Sequence, residues 1–439
     1  MATNSYRVAH ANATTENLDK QSSSVHQNDV ARHAALDLTL YSVVCGTLKA
    51  AIELGVFEIL AKAGASASQK SLTAKEIAEQ LVRPTANGTA VNSEYLQRFL
   101  RLLASVNIVS ESVAVVAAAE PGNVTSYNTH HQRSYALTPI GKYFVQGEDG
   151  CSLAPIILMG EDWVFKKAFD HLSAAVLDDS VDPFVRAHGK SEFQLNNDDP
   201  RVDKLFNTAM SSQSRIYMEA MLGAYHGFQD VNCLVDVGGC TGASLALITA
   251  KYPHIRGINF DLPHVVATSP TYPRVEFVGG NMFESIPSGI NFDLPHVVAT
   301  APTYPRVEFV GGNMFESIPS GDAIFIKAVL HNWNDEHCMT ILKNCIKALP
   351  SSGGKVIVME SVLPDLINLQ SENVGVKSML GLRLDITMLA YNSRGAKERT
   401  LHEFQQLGNA VGFAIRLPVV RLHNIHILEL LKIVKNNLR

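Results

Sequence analysis

The stretch LVDVGGCTG, residues Leu234–Gly242, decides the fold of this chain. Its apolar run, which carries Asp236, predicts a buried strand, and the glycines that follow predict a tight turn. Ala243–Lys251 then has the composition of a helix, and Gly257–Phe260 predicts a second strand that ends at Asp261. Such a unit is typical of nucleoside binding, because glycines let the backbone approach the ligand and the terminal acid accepts hydrogen bonds from the ribose hydroxyls.

The same turn indicates which nucleoside is bound. A dinucleotide site needs G-x-G-x-x-G facing a pyrophosphate, whereas Cys240 occupies the third position here. The turn also lacks the Lys-Ser/Thr pair of a P-loop. A glycine turn and a ribose acid without a phosphate cradle favour S-adenosylmethionine, which has a cationic sulfonium and no phosphate. Taken alone, the turn leaves open a plain strand–helix–strand crossover without a ligand.

The overall composition excludes several classes of protein. The chain has 439 residues, 46% of them hydrophobic, and a net charge of −5, which allows two or three domains and does not favour a nucleic-acid partner. Its apolar runs are shorter than the roughly 20 residues of a membrane helix, and its polar N-terminus does not resemble a signal peptide. Six cysteines without a C-x-x-C pair indicate reduced thiols and a cytoplasmic protein.

Three regions follow along the chain. Residues 1–30 are polar and predict a disordered tail. Residues 31–148 combine helical patterns with two β-like runs, which predicts a mainly helical winged-helix domain. Arg98 and Arg101 on its last helix permit a DNA-binding interpretation, but the basic cluster that such binding needs is missing, so a dimerisation module is the better interpretation. Residues 149–439 end in alternating strands and helices, which predict an α/β doubly wound, Rossmann-like sheet with ligands at the carboxyl ends of its strands.

A tandem repeat interrupts this domain. Residues 258–289 and 290–321 are identical except that Ser269 in the first copy is Ala301 in the second. A single sheet can accommodate only one copy of this strand–helix–strand unit. About 32 residues must therefore form a loop outside the sheet or an additional strand at its edge. The first copy connects naturally to the glycine turn and the second to the next strand. We therefore expect Asp261 to serve the ribose and Asn313 with Met314 to serve the adenine.

A histidine follows the next predicted strand. His331 comes just after AIFIKAVL, Glu360 ends the strand KVIVME, and Glu398 precedes a helix. An imidazole held by carboxylates is a positioned general base, because a carboxylate fixes the tautomer and stabilises the imidazolium. The alternative is a core or capping histidine. His337 and Cys338 lie nearby but do not complete a zinc-binding spacing, so no metal is expected.

Several linked motifs now point to one family, namely LVDVGGCTG, INFDLPHV, VGGNMFESIP, AIFIKAVLHNWNDEHC, LKNCIKALP, GGKVIVMES and KERT. Together they resemble the plant caffeic acid and flavonoid type O-methyltransferases. The resemblance extends from about residue 35 to the C-terminus. It implies a metal-independent, S-adenosylmethionine-dependent, homodimeric enzyme with a methyltransferase domain at 149–439 that acts on a small phenylpropanoid or flavonoid phenol.

The resemblance also implies roles for particular residues. The proton acceptor would be His331, with Glu360 and Glu398 as its partners. The cofactor contacts would be Gly238, Asp261 or Asp293, Asn313, Met314 and Lys327. The phenolic pocket would be lined by Met159, Phe193, Phe206, Met210, Met388 and Asn392.

The chain departs from the family pattern at several of these places. Asn313 stands where the family usually has Asp, Cys240 replaces a usual Gly, and Asn332 replaces a frequent Asp. Gln213 and Gly160 differ from common pocket residues of the caffeic acid enzymes. An amide oxygen still accepts the bond of an adenine amino group, so weaker cofactor binding is expected. With the repeat, these changes keep open a catalytically impaired homologue or a winged-helix regulatory or dimeric binding protein; a nicotinamide oxidoreductase is a more distant alternative.

Overall fold

The computed structural model describes residues 29–65, 70–81, 91–117, 129–146, 152–240, 242–261, 307–364, 379–392, 395–422 and 424–433. The chain divides into two compact units, Met1–Asp149 and Gly150–Arg439. All but the last two residues of the predicted tail at 1–30 lie outside the described residues. Those two residues, Asp29 and Val30, already belong to a helix.

The first unit consists of helices followed by an antiparallel pair of strands. Its elements are α1 Asp29–Thr39, α2 Tyr41–Leu54, α3 Val56–Ala65, α4 Ala74–Gln80, α5 Ser93–Ser105, β1 Val109–Ala117 and β2 Thr129–Leu137. Thr73 starts α4 through a capping box with Glu76, and the Asn92 side chain caps α5. Val109 pairs with Leu137 at one end of the strand pair. This order of elements is the one expected for a winged-helix arrangement.

Helix α5 shows how the sequence pattern sets the core of this unit. Leu96, Leu100 and Leu103 recur at helical spacing and are buried. Tyr95 of the same helix is exposed. It precedes Leu96 by one residue, about 100° around the helix, so it lies outside the buried stripe. No described helix is by itself long and apolar enough to cross a membrane, although α1 and α2, bent by 45°, would pass as a joined pair.

The second unit begins with a helical layer and continues into a sheet. The helices of the layer are α6 Ala154–Gly160, α7 Trp163–Phe169, α8 Leu172–Leu177, α9 Pro183–His188, α10 Glu192–Asp198 and α11 Pro200–Ala224. The elements that follow are β3 Cys233–Val237, α12 Ala243–Lys251, β4 Arg256–Asp261, β5 Val307–Gly311, β6 Ala323–Lys327, α13 Asp335–Ala348, β7 Lys355–Leu363, α14 Met379–Tyr391, β8 Arg399–Thr400, α15 Leu401–Val411, β9 Phe413–Ile415, β10 Val420–Leu422 and β11 Ile425–Lys432.

The central sheet has the order β10-β11-β7-β6-β3-β4-β5. Strands β7, β6, β3, β4 and β5 are parallel, and β11 is antiparallel to β7 and β10. The chain leaves β3 toward β4 and β5 and then returns to β6 on the other side of β3. The predicted doubly wound sheet is therefore confirmed, and the order reverses between β3 and β6, where such sheets bind ligands at their carboxyl ends.

Alternate residues of the strands face the two sides of the sheet. Val235 and Val237 belong to one hydrophobic cluster with Ile324, while Leu234 belongs to the opposite cluster with Phe325. This two-residue period is expected of a strand buried on both faces.

The sheet takes one strand from each copy of the repeat. Strand β4 contains the start of the first copy, and β5 belongs to the second copy, with Asp261 opposite Gly311. Residues 262–306, which connect the two strands, lie outside the described residues, and Asp293 is among them. Among the strands that the structure describes, β5 is the last at its edge of the sheet.

Candidate active site

The glycine turn after β3 is compact and needs its glycines. Gly238 has a φ of +70°, and its N–H donates to the Phe260 carbonyl of β4 at 2.8 Å. A Cβ on Gly238 would meet Val329 Cγ2 at 2.7 Å, and one on Gly239 would overlap Asn259 Oδ1. Backbone rather than side chains therefore faces the carboxyl ends of the strands here.

Strand β4 ties its terminal acid to this turn. The Cys240 N–H donates to Asp261 Oδ2 at 2.7 Å, and Asn259 Nδ2 donates to the Cys240 carbonyl at 2.9 Å. Cys240 has a φ of +50°, a conformation that glycine adopts more easily. The sequence-predicted acid therefore lies beside the predicted turn.

A buried acid, Asp236, and a half-buried lysine, Lys327, lie near the turn. Burial raises the pKa of Asp236 to about 7, with Asp261 adding to the shift and Lys327 opposing it. Burial lowers the pKa of Lys327, whose Nζ donates to Ser214 Oγ at 2.8 Å. Asp236 Oδ2 has no hydrogen-bond partner among the described residues. The glycine turn exposes backbone rather than side chains, and the buried Asp236 Oδ2 beside it lacks a hydrogen-bond donor in the described part of the chain. Both features fit a bound S-adenosylmethionine.

Asn313 and Met314 follow β5 at the same end of the sheet. Asn313 Oδ1 accepts from the Phe315 N–H at 3.0 Å, and its Nδ2 donates to Glu316 Oε1 at 3.0 Å. The Met314 carbonyl accepts from Asn344 Nδ2 at 2.9 Å. The Asn313 side chain therefore shapes the turn after β5 in addition to any contact that it makes with a ligand.

His331 lies against two buried carboxylates. Its Nδ1 is 3.1 Å from Glu398 Oε1 and 3.6 Å from Glu360 Oε2. Glu360 is fixed in turn, because its Oε1 accepts from the backbone N–H groups of Val329 and Leu330 at 2.9 and 2.8 Å. The structure thus brings together the three residues that the sequence predicted as a catalytic group.

The electrostatics of this group stabilise the imidazolium more than in a free histidine. Burial alone would lower the pKa of His331, but the charge of Glu360 and the hydrogen bond with Glu398 outweigh it and raise the pKa to about 8. Burial raises the pKa of Glu360. In the neutral ring the proton resides on Nδ1, because both carboxylates face this nitrogen. Nε2 is then the nitrogen with a lone pair that can accept a proton.

An apolar cluster contains several of the predicted pocket residues. Met159 is buried in it, and Phe206 and Met210 pack against it. Asn392 follows α14, and its Nδ2 donates to the Asn332 carbonyl at 2.9 Å, which links α14 to the His331 turn. Met388, one turn earlier in α14, is half-buried.

The side chain of Phe193 lies differently from the other predicted pocket residues, since 50% of it is exposed. Its neighbours on α10, Glu192 and Asn196, are buried instead. The sequence prediction missed both, because an acid next to a phenylalanine does not reveal which of the two faces inward.

A buried arginine was also missed. Arg399 is fully buried and donates to the carbonyls of Leu330 and Trp333 at 2.9 and 2.7 Å and to Asp335 Oδ1 at 2.7 Å. It therefore holds the turn that carries His331. The available signal was its place in KERT, directly after Glu398.

Comparisons with known proteins agree with this geometry. The family model for the O-methyltransferase domain matches residues 169–289 and 288–414, and the model for the O-methyltransferase dimerisation domain matches residues 36–147. The two matches of the first model meet where one copy of the repeat ends and the other begins.

Curated relatives cover nearly the whole chain. A caffeic acid 3-O-methyltransferase of Clarkia breweri is 40% identical over 420 residues, which are 95% of this chain and 99% of the relative. An esculetin O-methyltransferase of Kitagawia praeruptora is 40% identical over 402 residues, 91% of this chain and 94% of the relative.

Solved structures share the fold. Human N-acetylserotonin methyltransferase, in complex with S-adenosylmethionine, is 18% identical with a TM-score of 0.65 and covers 92% of this chain and 97% of its own. A methyltransferase of calicheamicin biosynthesis, bound to S-adenosylhomocysteine, is 23% identical with a TM-score of 0.66 and covers 92% of this chain and 98% of its own. The two domain matches, the near-complete relatives and the shared fold together show that this chain belongs to the S-adenosylmethionine-dependent O-methyltransferase family.

Proposed function

We propose that this protein methylates a phenolic hydroxyl of a small aromatic acceptor, with His331 as the general base. The observation that carries the proposal is the position of the imidazole Nδ1 between the Glu398 and Glu360 carboxylates, at 3.1 and 3.6 Å. The names of the curated relatives, which refer to caffeic acid and esculetin, support a phenolic acceptor.

The residues around the glycine turn would hold the cofactor. In this proposal Gly238 lets the cofactor approach the backbone, and Asp261 binds its ribose. Lys327, which donates to Ser214, lies next to the cofactor site. The turn at Asn313 and Met314 contacts the adenine; the other candidate acid, Asp293, lies outside the described residues. When bound, S-adenosylmethionine supplies an electrophilic methyl group on a sulfonium.

The chain's own residues would activate the acceptor. The phenol has a pKa near 10, so it is largely protonated at neutral pH and gives up its proton to His331 Nε2 as its oxygen attacks. Glu398 and Glu360 stabilise the imidazolium that forms. The apolar side chains would hold the aromatic ring so that proximity supplies much of the acceleration. These pocket residues are Met159, Phe193, Phe206, Met210, Met388 and Asn392.

We also propose that the protein is a cytoplasmic homodimer. The first unit exposes large apolar side chains that a partner copy would cover, among them Leu36, Leu38, Leu40, Tyr41 and Val43. The buried Cys338 and Cys345 are free thiols, as expected in a reducing compartment.

Replacing His331 by alanine tests the proposed base. Loss of a general base should lower kcat with a small catechol by about 10²- to 10⁴-fold, while the affinity for S-adenosylhomocysteine, measured by calorimetry, stays within a few fold. The variant His337→Ala, which changes an exposed histidine of the adjoining helix, should retain turnover. Unchanged turnover of His331→Ala would remove the base assignment.

Two alternatives are separated by the same assays. The ligand atoms of His331, Glu360 and Glu398 lie within 4.8 Å of one another, so a metal site would predict loss of activity after dialysis against a chelator. The proposed base predicts no loss. A catalytically impaired homologue would bind S-adenosylhomocysteine without turning over any catechol.

A further inference from the structure

Helix α10 turns two polar side chains into the protein. Glu192 and Asn196 are four residues apart, so they lie on the same face of the helix. Glu192 is 6% exposed and Asn196 is 8% exposed. Glu192 Oε1 and Asn196 Oδ1 have no hydrogen-bond partner among the residues that the structure describes.

The charge of Glu192 interacts with the proposed base, His331, and with Tyr391 of the aromatic cluster. Burial raises the pKa of Glu192 to about 7, and the positive charge of His331 opposes this shift. The charge of Glu192 adds to the effect of burial in raising the pKa of Tyr391. The Tyr391 ring packs edge-on against Phe165 and Phe184, with centroids 5.6 and 6.0 Å away.

A buried carboxyl oxygen without a hydrogen-bond partner is unfavourable for folding. Leaving a buried polar atom unsatisfied destabilises the folded state, and the effect is larger when the group is charged. Both atoms on this face are acceptors, so neither can satisfy the other. They call for a ligand that donates hydrogen bonds, and an acid beside aromatic rings is the chemistry that binds an alkylammonium group.

We propose that Glu192 and Asn196 form an acceptor-specificity site for a phenolic amine, whose N–H groups donate to Glu192 Oε1 and Asn196 Oδ1 near the rings of Tyr391 and Phe184. This inference rests on the proposed function, because it assigns the substrate class of the same pocket. The proposal predicts that a phenolic acid is a poor acceptor, because its carboxylate would be repelled by the negative charge of Glu192.

Three catechols that differ in one substituent test the site. Dopamine carries an ammonium group, caffeate carries a carboxylate, and 4-methylcatechol is uncharged. With the full-length protein, kcat/KM for dopamine should exceed that for caffeate by at least about tenfold. Glu192→Gln should reduce this preference by about tenfold, and kcat/KM for 4-methylcatechol, measured with the same variant, serves as the reference that cancels any common effect on turnover.

The control is Asp198→Asn, which removes an acid from the outward face of the same helix, where it pairs with Lys190. It should keep the preference. The melting temperature of Glu192→Gln should equal or exceed that of the unmodified protein, because Oε1 has no hydrogen bond to lose among the described residues, whereas a structural role predicts a clear decrease.

The outcomes separate this inference from the proposed function. Turnover of 4-methylcatechol reports the proposed function by itself. If no catechol is methylated, calorimetry with dopamine and caffeate in the presence of S-adenosylhomocysteine still measures the preference of the site. Equal or stronger use of caffeate by the unmodified protein, or a preference that survives in Glu192→Gln, would overturn the assignment.

Discussion

Replacing Glu398 by glutamine perturbs the electrostatics of the proposed base while keeping the shape of the side chain. The two carboxylates hold the pKa of His331 at about 8. Compared with the ordinary value near 6.5, this is a preference for the imidazolium of about 2 kcal/mol. Glu398 provides the hydrogen bond and part of the charge, so its loss should remove about half of this preference, or roughly one pH unit.

The sign of the effect follows from the role of the base. Only the neutral imidazole accepts a proton, so kcat/KM of the unmodified enzyme should rise as the pH increases through about 8. In Glu398→Gln this rise should occur at lower pH. On the plateau the variant should be slower by about fivefold, because the imidazolium formed during the reaction loses about 1 kcal/mol of stabilisation.

The assay is a pH profile of kcat/KM for 4-methylcatechol, whose own ionisation lies well above this range. Glu403→Gln is the matched control, because Glu403 is a nearby acid paired with Lys397 and glutamine also completes its capping box at Thr400. Calorimetry with S-adenosylhomocysteine should show equal affinity in all three proteins. A rise that stays near pH 8 in Glu398→Gln, or one that moves to higher pH, would refute the assigned electrostatics.

Two further changes test the cofactor site and the repeat. Gly238→Ala should weaken S-adenosylhomocysteine binding by at least about tenfold, because the new Cβ would lie 2.7 Å from Val329 Cγ2 at a φ of +70°; unchanged affinity in calorimetry would show that the turn does not need glycine. Deleting residues 262–293 shortens the β4–β5 connection by 32 residues and should raise stability toward unfolding by about 1 kcal/mol, measured by urea denaturation. An unfolded deletion variant would instead mean that the extra unit is part of the sheet.

The sheet could be predicted because its strands carry strong local signals. The apolar runs around Val235, Ile324 and Val358 are short, continuous and bounded by glycine, proline or polar residues, which is typical of strands buried on both faces. The candidate site residues follow from the same signals, since parallel strands bring their carboxyl ends together, although β7 continues three residues beyond Glu360, which the sequence placed at its end. His331 and Glu360 were predictable for this reason.

The helical layer was less predictable, because short helices do not have the fixed common direction that brings the carboxyl ends of parallel strands together. Helix α10 contains Glu192, Phe193 and Asn196 within about one and a half turns. From residue type alone, phenylalanine is the one expected to be buried. The tertiary arrangement instead buries the two polar residues and exposes half of Phe193. Residues that break the burial rule in this way are the ones expected at functional sites, where stability is exchanged for recognition.

The position of the repeat explains why a duplicated segment is compatible with an intact site. The turn at Gly238 follows β3, the proposed base His331 follows β6, and Glu360 lies in β7, so all three belong to the middle of the sheet. The additional residues enter between β4 and β5, next to the edge. Lengthening a connection costs free energy only with the logarithm of its length, and it does not displace the central strands. The same insertion between β3 and β4 would separate Asp261 from the glycine turn, so the location of the repeat, rather than its length, decides whether the proposed chemistry can persist.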